Sequence, residues 1–74
     1  MSAPLLTPAE FYDSVEAGDL VELVYADGRR PVCCVAGVML GADVNVIATT
    51  GVRFSLPPGS RARIVDRPPA RRGY

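Results

Sequence analysis

Histidine, lysine, glutamine and tryptophan do not occur in this chain of 74 residues, and cysteine occurs only twice. These absences narrow the chemistry before any pattern is read. A structural zinc site takes four thiolate or imidazole ligands, so no metal is expected here, and no cofactor either. Cys33 and Cys34 are adjacent; on a strand they point to opposite faces and sit badly for a mutual disulfide, so they read as small apolar side chains in a reducing compartment. Glu16 and Asp19 are acid–base candidates by residue type, but no histidine is available as a base for either thiol, and no phosphate-cradling glycine loop appears. The chain is read as a non-enzyme.

A long hydrophobic segment is also missing. The longest uncharged stretch considered, PVCCVAGVML at 31–40, falls well short of the roughly 20 apolar residues that span a bilayer. The opening MSAPLLTPAEF has neither a basic segment nor a continuous apolar core. No leader is therefore expected, and cytoplasmic location is the default.

What is present is lopsided. Formal net charge is zero, yet Glu10, Asp13, Glu16, Asp19, Glu22 and Asp27 precede every arginine, and only Asp43 and Asp66 accompany Arg29, Arg30, Arg53, Arg61, Arg63, Arg67, Arg71 and Arg72. Either the two halves neutralise each other across one folded surface, or the molecule is polar and offers its basic part to an acidic surface. The dominance of alanine, glycine, proline, valine and arginine fits a GC-rich genome, bacterial or phage. In a phage, a virion or host-takeover component is the corresponding expectation.

Thr7-Pro8-Ala9-Glu10 carries a capping box with proline at the first helical position, and predicts a helix over about 8–17 that stops at Gly18. Phe11, Tyr12 and Val15 form its apolar stripe. From Asp19 the period changes to two. Val21, Leu23 and Tyr25 lead to an Asp27-Gly28 hairpin turn. Residues 32–40 make a second strand, Val44, Val46 and Ala48 a third, and Val52, Phe54 and Leu56 a fourth. After Pro57-Pro58-Gly59-Ser60, Ala62 and Ile64 mark a short fifth. The expected fold is mainly β: one domain over 1–66, a short N-terminal helix followed by five strands in a small, strongly bent barrel. The bend is placed at Gly37, where the longest strand would pass from one half of the barrel to the other.

Leu20, Val24, Ile47 and Val65 fall on the faces opposite these inward sets, joined by one face of the second strand. A helix of three turns covers part of such a surface at most, and the remainder predicts self-association or docking on a protein partner. Residues 67–74, RPPARRGY, lack periodicity and are expected to be disordered or extended in polyproline II form, with Tyr74 and the arginines suited to strap onto a neighbour.

The stretches VELVYADG, AGVMLGADVNV and RIVDRP within 21–68 resemble the Sm-like family, and the Pro-Pro-Gly-Ser break resembles SH3-like barrels. The Sm-like resemblance implies a ring of subunits joined through the fourth and fifth strands, with RNA on the loops. Two functions follow. The first is a small protein-interaction or assembly module, with Leu20, Val24, Ile47, Val65 and Tyr74 at the contact. The second is an RNA or single-stranded DNA binder using Arg53, Arg61, Arg63, Arg67, Arg71 and Arg72 as a basic stripe.

Overall fold

A computed structural model describes residues 3–68. The conformation expected of the tail beyond Pro68, together with Arg71, Arg72 and Tyr74, lies outside the described residues. The elements run α1 (Pro8–Ser14), β1 (Leu20–Val24), β2 (Val32–Leu40), β3 (Val44–Ala48), β4 (Arg53–Leu56) and β5 (Arg61–Asp66). All strand pairs are antiparallel, in the order β4-β3-β2-β1-β5.

The bent barrel expected from the sequence is not formed. The sheet is open, with β4 and β5 as its two edges and no pairing between them among the described residues. The N-terminal segment takes the place a closing strand would need. Leu6 donates its amide to the Ala62 carbonyl at 2.7 Å and accepts the Ala62 amide at 3.0 Å, so the outer edge of β5 is partly occupied there. At the other edge β4 has four residues, and the Tyr25 hydroxyl caps its Ser55 carbonyl at 2.8 Å. The likeness to Sm-like and SH3-like barrels thus ends at a shared set of short antiparallel strands. A small-barrel architecture does not describe this chain.

The sharp bend assigned to Gly37 is absent as well. In its place is a bulge one residue earlier: β2 steps from Val35 to Gly37 while β3 steps from Ala48 to Ile47, leaving Ala36 without a partner. Gly37 has no positive φ, and a methyl group added there would meet nothing within 4 Å. Its lack of a side chain is therefore not what places the irregularity. The bulge does switch the buried parity of the strand, since Val35 is buried before it and Val38 packs against the core after it. Just before it the two neighbours of β2 overlap: Val32, Cys33 and Cys34 pair with β1 and Val35 still bonds to Gly18 and Asp19, while Cys34 accepts the Thr49 amide at 3.0 Å and the ladder with β3 begins at Val35.

The hairpin turns each hold three residues rather than two. Gly28 donates its amide to Tyr25 at 3.0 Å while Tyr25 donates to Arg29 at 2.9 Å, and Gly51 and Ala48 repeat the pattern with Ala48 and Val52 at 2.9 and 2.8 Å. Both glycines have positive φ, 96° and 92°, which an L side chain adopts only with strain.

The start of α1 matches its sequence signature. The Thr7 hydroxyl accepts the Glu10 amide at 3.2 Å and Glu10 accepts the Thr7 amide at 2.9 Å, and these bonds hold the Glu10 carboxyl below its usual pKa. The helix ends three residues earlier than expected, because Val15 is already extended (φ −73°, ψ 146°). Groups that would continue it are bonded elsewhere: the Asp19 carboxylate takes the Glu16 amide at 2.8 Å, and Arg67 donates to the Ser14 carbonyl at 2.6 Å.

The core is Phe11 from α1 with Val21, Leu23, Val35, Val44, Val46, Leu56 and Ala62. Apart from Phe11 of the helix stripe and Val35 of the unassigned second strand, these are inward positions that the alternation predicts. Val52 departs from that set, 49% exposed at the end of its turn. Because Phe11 joins this inward cluster, α1 covers the core side of the sheet and leaves the other side bare.

Candidate functional site

Cross-strand partners share a face, so the register defines the side of the sheet that α1 does not cover. Leu20 lies opposite Cys34, Glu22 opposite Val32 and Arg63, Val24 opposite Arg61, Met39 opposite Asn45, and Ile47 opposite Gly37 and Arg53. The face carries Leu20, Val24 and Ile47, all half-buried, beside Val32, Met39 and Val65, which are 56%, 53% and 51% exposed. Val65 follows inward Ile64 and so points outward by alternation, and the extra residue between the Val21–Ile64 and Leu20–Asp66 pairs leaves it out of the ladder. Four of the five contact residues predicted from the sequence are thus on one side of the sheet, and the fifth, Tyr74, lies outside the described residues. The face also carries Glu22, Asn45, Arg53, Arg61 and Arg63, and Val32 and Met39 are exposed apolar additions to it. Alternation along an almost wholly apolar strand could not assign either of them.

The arginines do not form one free basic stripe. Glu22 sits on the outer face between Arg63, with Nε 3.0 Å from Oε1, and Arg30, with Nε 3.2 Å from Oε2. The Arg63 Nε–H is not aimed at the carboxylate, so this is a charge contact and not an aligned hydrogen bond. Arg29 is held by Asp27 at 2.7 Å and stacks over the Tyr25 ring, 4.7 Å from its centre. Arg67 is turned away from any stripe. Its Nε and Nη2 donate to Asp19 Oδ1 and Oδ2 at 3.0 and 2.9 Å, and Nη1 lies 3.4 Å from Glu16 Oε2. Asp19 is 1% exposed, and the Arg67 guanidinium holds its carboxyl below the ordinary carboxylate range. Of the predicted stripe, Arg53 and Arg61 remain without a carboxylate partner among the described residues, Arg61 donating to the Ser60 carbonyl at 2.8 Å. Arg71 and Arg72 lie outside those residues.

A second feature escaped the sequence pattern altogether. An open groove of about 520 Å³ separates the first turns of α1 from the β2–β3 turn. Tyr12, Leu40, Val44, Leu56 and Pro58 give it an apolar lining, and Asp13 and Asp43 stand in it as carboxylates. Neither aspartate forms an ion pair among the described residues; the Asp43 carboxylate accepts a long bond from the Ser55 hydroxyl at 3.4 Å. Nothing local in the sequence brings Tyr12 to Leu40, since α1 and the β2–β3 turn meet only through the tertiary fold.

Cys33 packs against the core, where burial raises its thiol pKa, and Cys34 is exposed on the outer face. Among the described residues no group of three or more Cys, Asp or Glu side chains is placed to hold a metal ion, and no helix is long and apolar enough to cross a membrane. No protein-family model matches the chain, and no curated protein or solved structure matches it either.

Proposed function

We propose that this chain is a non-enzymatic interaction module that self-associates through the outer face of its sheet. The observation that carries this reading is the exposure of Val32, Met39 and Val65 on the same face as Leu20, Val24 and Ile47, the side of the sheet that α1 does not cover. Apolar side chains grouped in this way on a small domain mark an interaction surface. A second copy is the fitting occupant. Formal net charge is zero, so two copies meet without overall repulsion, and a chain near neutrality is prone to associate. The Arg30–Glu22–Arg63 group on the same face supplies both signs of charge to a like surface.

The nucleic-acid reading has less support, because Arg29, Arg30, Arg63 and Arg67 are each already engaged by a carboxylate. Phosphate binding by any of them would first have to displace its partner. Sedimentation or native mass at micromolar concentration, with and without single-stranded RNA, tests the proposal. A dimer or larger species is expected, reduced to monomer by the combined V32E and M39E substitutions and unchanged by RNA. A wild-type monomer throughout the concentration range would overturn it.

A further inference from the structure

The groove between α1 and the β2–β3 turn lies on a different part of the molecule from the outer sheet face, and its contents are chemically unbalanced. Half of the chain's eight side-chain carboxylates are placed beside arginines among the described residues. Glu16, Asp19, Glu22 and Asp27 all contact arginine. Glu10, Asp13, Asp43 and Asp66 do not among the described residues, and of these Asp13 and Asp43 line the same apolar groove. A ligand that suits it carries positive charge to meet two carboxylates and an apolar or aromatic body to cover Tyr12, Leu40 and Leu56.

The sequence contains such a segment. Residues 69–74 read PARRGY, with Arg71, Arg72 and Tyr74 close together and no acidic residue. The point from which this segment starts is also fixed. Arg67 donates to the carbonyl of Ser14 at 2.6 Å, and Ser14 adjoins Asp13 of the groove. Six residues extend roughly 20 Å at about 3.3 Å each, whereas the whole of α1 (seven residues) is only about 10 Å long. A tethered segment within reach acts at an effective concentration in about the millimolar range, so even a weak individual contact is populated.

We propose that the groove is the receptor for the chain's own residues 69–74, with Arg71 and Arg72 meeting Asp13 and Asp43 and Tyr74 lying against the apolar lining. The proposal is independent of self-association through the sheet face.

The test uses the full chain and its amide resonances, recorded over a concentration series. The combined R71A, R72A and Y74A substitutions are expected to move the resonances of Ala9, Tyr12, Leu40 and Ala42 equally at every concentration, leaving Val21 and Val46 in place. In a D13N and D43N background the same tail substitutions should move them no further, whereas in a D66N background the shifts should persist. Added salt should reproduce part of the effect by screening. Groove resonances that ignore the tail substitutions would overturn the proposal. So would shifts that fade on dilution, which would make a second copy the source of the segment.

Discussion

Arg67 grips the buried carboxylate of Asp19 with two parallel hydrogen bonds, 3.0 and 2.9 Å long, across 48 positions of sequence. The same guanidinium reaches the last carbonyl of α1, so one side chain ties the end of β5 to the link between α1 and β1. Asn in place of Asp19 keeps the shape and removes the charge that makes these bonds strong. Asp19→Asn should lower unfolding stability by about 1.5–3 kcal/mol, read from the midpoint and slope of denaturant unfolding, with an Asp66→Asn control near zero. Equal stability of the two variants would show that the grip contributes nothing.

The same pair gives a pH dependence with a definite sign. The Asp19 carboxyl titrates below its ordinary value because Arg67 and the Glu16 amide favour the ionised form. Its contribution is therefore complete above the ordinary carboxylate range and is lost as pH falls through the lowered folded-state value. Unfolding followed from pH 7 downward should show wild type losing more stability than Asp19→Asn on the acid side. Parallel curves would remove Asp19 from the account.

Glycine 37 offers a sharper test of the fold. With no positive φ and open space around it, Gly37→Ala should be neutral or stabilising by about 0.4–1 kcal/mol through the unfolded chain. Gly28→Ala, at φ 96°, should instead cost about 1–2 kcal/mol. A strong loss at Gly37 with none at Gly28 would reverse this description of where the chain needs glycine.

Phe11 is fully buried and is the one α1 residue in the core. Phe11→Ala should cost about 3–5 kcal/mol, and Thr7→Ala, which removes the capping hydroxyl, about 1 kcal/mol. Thermal unfolding by circular dichroism separates the two. If Phe11→Ala cost no more than Thr7→Ala, α1 would be a surface ornament and not a part of the core.

Much of this was readable from local pattern. The Thr7–Glu10 box fixed the start of α1, alternation located the strands, and the residues left over from the inward sets, Leu20, Val24, Ile47 and Val65, did land together on the outer face. The failures share one physical origin, which is dependence on distant partners. The end of α1 is decided by Arg67 and Asp19, and the openness of the sheet by Leu6 on β5. The groove exists only where Tyr12 meets Leu40. Arginine type alone could not reveal that Glu22 and Asp19 had already taken Arg63 and Arg67. In β2 the expected barrel bend at Gly37 is replaced by a bulge, with Ala36 the position left out of the ladder.

That unpaired alanine has a consequence for packing. Because Ala36 has no place opposite β3, the alternation of β2 restarts there, while Val35 bonded to Gly18 and Asp19 and Cys34 bonded to Thr49 hold the joint from both sides. The core therefore takes valines at an odd and at an even position of one continuous strand, Val35 and Val38, which strict alternation would forbid.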